Sequence, residues 1–137
     1  MATIQLEIEI AASRAFAWDA IRDVGAIHRR LVRGFVVDCR LDGDARVVTF
    51  ANGMTVRELI VSVDDAMCRH AWSARGEPFL HHNASAQVFA AGATGDRCRV
   101  VWIADLLPDG AAGAVGEMMK QGLQAMKTTL ESDAAGR

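Results

Sequence analysis

The sequence predicts an α+β domain: a seven-stranded antiparallel sheet curled around a long C-terminal helix, with two short helices after the first strand. Three observations predict it. Pro108 to Glu131 carries apolar side chains at Val115, Met118, Met119, Met126 and Leu130, with small Gly122 on the same stripe. That is the i, i+3, i+4, i+7 spacing of an amphipathic helix. Thr3 to Ile10 alternates Ile4, Leu6, Ile8 and Ile10 against Gln5, Glu7 and Glu9, as a strand with one wet face does. Between them, residues 35–107 form short runs separated by turn residues, which is the pattern of an antiparallel meander.

In chain order, Ser13 is a candidate N-cap for a helix whose stripe is Phe16, Ala17, Ala20, Ile21 and Val24. Gly25 ends it, and Ala26 to Val32 reads as a second short helix. Six strands follow. Phe35 to Leu41 ends at Asp42-Gly43-Asp44, and Arg46 to Phe50 ends at Asn52-Gly53, a strong hairpin signal because both residues accept positive φ. Met54 to Val63 stops at Asp64-Asp65, and Cys68 to Ala74 at Arg75-Gly76-Glu77-Pro78. His82 to Ala90 closes at the Gly92–Gly95 turn, and Arg99 to Leu107 leads into the long helix, with Asp109 as its expected N-cap. The helix would be roughly 35 Å long at about 1.5 Å per residue. Residues 1–131 read as one domain and residues 132–137 as a frayed tail.

Composition narrows the function classes. The chain has 137 residues and a net charge of −2, without the basic excess of a nucleic-acid binder. No run approaches the roughly eighteen apolar residues of a membrane span. Cys39, Cys68 and Cys98 are scattered and odd in number, which suits reduced thiols in a cytoplasmic protein better than a disulfide framework. No serine–histidine–acid order, phosphate loop or dinucleotide fingerprint is present, and no cofactor is expected.

The apolar face of such a sheet needs a cover, and only the C-terminal helix is long enough. Where helix and sheet diverge, space would remain. Gly110, Gly113, Gly116 and Gly122 keep bulk low, and the methionines are adaptable liners of irregular cavities. The other reading of the same residues is that glycine permits close packing and methionine fills gaps.

The order β-α-α-β6-α, together with the segment GMTVRELIVSVDDAMCRHAWSARGEPF, resembles the START/Bet v 1-like superfamily, also called SRPBCC or the helix-grip fold. The likeness covers nearly the whole chain. It is strongest to the bacterial polyketide-cyclase/dehydrase-like proteins and to the branch containing plant abscisic-acid receptors. The most specific piece is Val56-Arg57-Glu58-Leu59, then Val63-Asp64-Asp65, then Trp72-Ser73; Asn83-Ala84-Ser85, Arg99–Trp102 and Leu107-Pro108-Asp109 support it. The resemblance implies a cavity bordered by Val56, Glu58, Ile60, Trp72, Ala74, Asn83, Ser85 and the helix residues Met118, Met119, Gly122 and Met126. Leu59, Val61 and Val63 would then form an unusually apolar opposite face. Either that assignment of faces is off, or the face meets a partner, as in a homodimer. Arg75–Leu80 does not reproduce the receptor branch's lid loops, so ligand-gated signalling is not implied.

Glu58 is the sharpest candidate for chemistry. Inside an apolar cavity its carboxylate is costly unless paired, and desolvation would raise its pKa. It could anchor a polar ligand group or act as general acid or base; the alternative is an outward Glu in a surface pair. His81 and His82 are adjacent in a strand, so only one can face the cavity and assist. Cys68 and His70 share a strand face but are too few ligands for a metal site, and none is expected. Arg29, Arg30 and Arg33 read either as an attractor of anionic ligands or as a solvated helix end. The leading expectation is a binder of a small, mostly hydrophobic molecule between sheet and C-terminal helix. The alternatives are a polyketide cyclase- or dehydratase-type enzyme using Glu58, and a protein-interaction module using the outer face of strand 54–63.

Overall fold

The computed structural model describes residues 1–136. The strands are β1 (Ala2–Ile10), β2 (Val36–Asp42), β3 (Ala45–Phe50), β4 (Thr55–Asp64), β5 (Arg69–Arg75), β6 (His81–Ala91) and β7 (Arg97–Leu107). Helices α1 (Arg14–Arg22) and α2 (Ile27–Arg30) follow β1, and α3 (Ala112–Ala135) follows β7 through a single 3₁₀ turn at Asp109–Ala111. All seven strands form one antiparallel sheet in the order β1-β7-β6-β5-β4-β3-β2, the helix-grip architecture.

Alternation sets which face is inward. Along β1 the even positions are buried or half-buried, and across the ladder Leu6 faces Trp102 and Ile8 faces Val100. Directly paired residues share a face. The inward set therefore continues through Ala84, Ala86 and Val88 of β6, then His70 and Trp72 of β5, then Glu58 and Ile60 of β4, then Arg46 and Val48 of β3. The helices close over this face. Ser13 caps α1 by accepting the Phe16 N–H at 3.1 Å. The Asp64-Asp65 turn ties α1 to the sheet, since Asp65 accepts from Trp18 Nε1 (2.9 Å) and Arg22 Nε (2.8 Å). Gly53 turns the β3–β4 hairpin at φ +89°.

Three expectations need correcting. Asp109 does not cap the long helix; its carboxylate meets the Met1 amino group at 3.1 Å, and the 3₁₀ turn supplies the entry to α3. The helix runs through most of the supposed tail to Ala135, and Asp133 is held there by Arg33 at 2.8 Å. Finally, Leu59, Val61 and Val63 do not form one outer face. A β-bulge lies between Ile60 and Ser62, after which Val63 stands opposite inward His70. A bulge adds one residue to one strand and shifts the parity of all that follow. Val61 is left 55% exposed at the bulge.

Gly122 is where α3 presses closest to the sheet. A Cβ there would stand 2.8 Å from Trp102 Cζ3 and 3.2 Å from Phe35 Cε2, whereas at Gly116 the nearest atom, from Ile4, is 4.0 Å away. No helix among the described residues is long and apolar enough to cross a membrane. The two glycines should respond oppositely to alanine in thermal unfolding. Gly116→Ala is expected to gain up to about 1 kcal/mol from helix propensity. Gly122→Ala is expected to lose about 1–2 kcal/mol net, because overpacking against a rigid indole outweighs that gain.

Candidate functional site

The inward face of β3, β4 and β5 is apolar except for Arg46, Glu58 and His70. Arg46 and Glu58 are directly paired across β3 and β4, and Arg46 Nε donates to Glu58 Oε1 at 2.8 Å. Only 4% and 8% of these residues are exposed. The guanidinium also donates to the Val24 carbonyl at 3.2 Å, in the connection between α1 and α2, and lies 5.5 Å from the centroid of the Trp72 ring. Glu58 is therefore a committed acceptor rather than a lone carboxylate in oil. A pair so enclosed is tolerable only when its remaining donors and acceptors are met.

Trp72 is the centre of a second, connected set. His70, next on the same strand face, stacks on it at 5.0 Å, and Trp102 from β7 lies 5.8 Å away. His70 Nδ1 is 3.0 Å from the Ser62 carbonyl. A carbonyl can only accept, so the ring carries its proton on Nδ1 and offers Nε2 as an acceptor. His70 Nε2 and Trp102 Nε1 are both buried without a hydrogen-bond partner, as is His28 Nδ1. Buried polar atoms are nearly always satisfied, so the surroundings of Trp72 hold one free acceptor and one free donor. Burial, with Arg46 adding to it, pushes the His70 pKa down to about 4.

The structure places Val56, Glu58, Ile60, Trp72 and Ala74 on this inward face. Met119 and Met126 are buried on α3, Gly122 lies between them, and Met118 is half-buried at the side. Asn83 and Ser85 are on the other face. They stand opposite Asp105 and Ile103, while Trp72 pairs with Ala84. The resemblance set β6 one residue out of phase, and with a side-chain period of two a one-residue slip reverses every assignment. His82, not His81, belongs to the inward set. Its Nδ1 accepts from the Ala74 backbone N–H at 2.9 Å, and burial, with His81 beside it, brings its pKa down to about 4.

Arg30 is paired with Asp19 and Asp23, and Arg33 with Asp133, so these cations brace the helices instead of awaiting an anion. From the sequence, Arg46 was not singled out, His70 was weighed only as a metal ligand, and Trp102 only as part of a supporting strand. Arg46 left a signal: it alternates with Val48 and Phe50 and so had to share their buried face.

The family described as polyketide cyclase / dehydrase and lipid transport has a model that matches residues 1–131. No curated protein sequence matches the chain. Among solved structures, the protein XoxI from Bacillus cereus is similar at 20% identity and a TM-score of 0.83, over 97% of this chain and 99% of that one. A START superfamily protein from Mycobacterium smegmatis is similar at 11% identity and a TM-score of 0.73, over 98% and 97%. A point mutant of norcoclaurine synthase from Thalictrum flavum, bound to a transition-state analogue, is similar at 20% identity and a TM-score of 0.72, over 98% and 94%. Likeness at these identities shows a shared fold.

Two outcomes are expected. Arg46→Met and Glu58→Leu should each cost about 3–5 kcal/mol in urea unfolding, and the double variant should recover most of that loss, because each single change strands a buried charge; additive losses would rule out the coupling. Stability should also fall as the pH drops from about 6.5 to about 4. The unfolded chain takes up protons on His70 and His82 in that window while the folded chain does not, at a cost of up to about 3 kcal/mol per histidine. His70→Gln should flatten the pH profile of unfolding.

Proposed function

We propose a function from the premise that the chain belongs to the polyketide cyclase / dehydrase and lipid transport family, within the START/Bet v 1-like superfamily. The protein binds a small, mostly apolar molecule between the inward face of the sheet and α3. The observation that carries this reading is the pair of unpartnered buried atoms flanking Trp72: the His70 Nε2 acceptor and the Trp102 Nε1 donor. A hydroxyl on a bound molecule can donate to the first, and a carbonyl or hydroxyl oxygen can accept from the second. Apart from the Arg46–Glu58 pair, the rest of the surroundings are apolar or aromatic, which favours a flat hydrophobic body. In this reading Arg46 and Glu58 shape and polarise the wall behind Trp72, and Met119 and Met126 adapt to what is bound.

A second reading is an enzyme of cyclase or dehydratase type with Glu58 as acid or base. Its support is a carboxylate buried on the inward face, and its weakness is that Arg46 already holds that carboxylate. His82 could assist only from the neutral form, since its Nδ1 is occupied by a backbone donor.

Binding is tested by titrating the protein with naphthol and following tryptophan fluorescence. Saturable quenching is expected, and Trp102→Phe, which removes the N–H together with part of the ring surface, should weaken binding roughly tenfold. No saturable change, or an unaltered affinity in Trp102→Phe, would defeat the reading. For the enzymatic alternative, Glu58→Gln should reduce turnover of a polyketide-like substrate by about two to four orders of magnitude. A variant that stays folded and keeps its turnover would dismiss that role.

A further inference from the structure

The ladder between β5 and β6 stops early. It has four paired positions, from Arg69 with Gln87 to Trp72 with Ala84, whereas β6 and β7 pair over eleven. The next inward pair would be Ala74 with His82, and there side chains replace the backbone bonds. The Ala74 N–H donates to His82 Nδ1, and the Ser73 hydroxyl donates to the His82 carbonyl. The strands part, and a pocket of about 320 Å³ opens at the surface, with Val61, Ser73, Arg75, Phe79, His82 and Asn83 in its wall.

This wall offers donors and contains no Asp or Glu; Glu77 is in the adjoining loop, outside the lining. Because His82 Nδ1 accepts from a backbone N–H, the neutral ring carries its proton on Nε2. That N–H has no hydrogen-bond partner among the described residues, although the residue is only 8% exposed. The Arg75 side chain has no ion pair or hydrogen bond among them either. It stands directly opposite Arg57, whose own charge is taken by Asp42 at 2.6 Å. The apolar flank is Phe79, whose ring is 4.9 Å from the His82 ring, together with exposed Val61.

We propose that this pocket binds a small carboxylic acid with an apolar body, its carboxylate on Arg75 and the His82 Nε2–H and its body against Phe79 and Val61. Arginine and a neutral imidazole N–H both suit a carboxylate, and the bond to arginine is charge-assisted. Neither Trp72 nor Trp102 lines this pocket; Ser73, Arg75 and Asn83 reach it from the outer face, and His82 reaches it from the inward side where the strands part.

The test uses amide correlation spectra of the isotope-labelled full chain, titrated with naphthoate, neutral naphthamide and inorganic phosphate. Naphthoate is expected to shift the amides of residues 73–83 saturably, with naphthamide and phosphate weaker by roughly tenfold or more. Arg75→Gln, a change at an exposed position, should weaken naphthoate by roughly tenfold and leave naphthol binding in the interior unchanged. The proposal is overturned if naphthoate shifts only residues around Trp72 and Trp102, if no shift saturates, if naphthamide binds as well, or if Arg75→Gln has no effect. Loss of naphthol binding alone would sink the interior reading and leave this one standing.

Discussion

The ion pair between Arg46 and Glu58 constrains everything around it. Two charges removed from water each cost several kcal/mol, about the whole margin by which a domain of this size is folded. The structure meets that cost by spending three neighbours on one guanidinium. Glu58 comes from the next strand, the Val24 carbonyl from the α1–α2 connection, and the face of Trp72 from the strand beyond. These contacts come from three separate parts of the chain, and all must be in place before either charge can be buried. The pair therefore couples the position of the small helices to the register of β3, β4 and β5. It also supplies the fixed positive charge that, with burial, keeps His70 neutral beside Trp72.

The interior is accordingly not a uniform apolar lining. Its polar atoms are sorted: carboxylate and guanidinium satisfy one another, while an imidazole nitrogen and an indole N–H remain open on either side of one aromatic ring. That division separates groups that hold the wall in place from groups left without a hydrogen-bond partner. A buried carboxylate is easily taken for the reactive group, yet here Glu58 is paired and the unpartnered atoms beside Trp72 belong to His70 and Trp102.

Much of this architecture was legible in the sequence because it rests on local periodicity. The alternation of Ile4, Leu6 and Ile8, the turn at Asn52-Gly53 and the stripe along Met119, Met126 and Leu130 each specify an element without tertiary help. The site was legible only in part. Val56, Glu58, Ile60, Trp72 and Ala74 share a face because β4 and β5 keep phase up to the bulge. Asn83 and Ser85 were misplaced because β6 is rich in small residues. A strand reading HHNASA presents nearly equal bulk to both faces, so its phase is set by pairing to Trp72 and Trp102 and not by its own pattern. The bulge at Val61 leaves no local mark of the kind a glycine would give. Asp109 matched the preferences of a cap, but the 3₁₀ entry and the amino terminus claimed it.

The short ladder between β5 and β6 divides the sheet mechanically. On one side β6, β7 and β1 are held by long continuous pairings; on the other β2 to β5 are braced by hairpins and by the Arg46 contacts. Between them the join at one end is a histidine ring and a hydroxyl, not a row of amides. With four paired positions, this boundary has the shortest ladder in the sheet, and the two halves could part there first. The seam runs beside Trp72, so a small hinge there would give an apolar molecule a route to the interior without unwinding α3 or melting a strand.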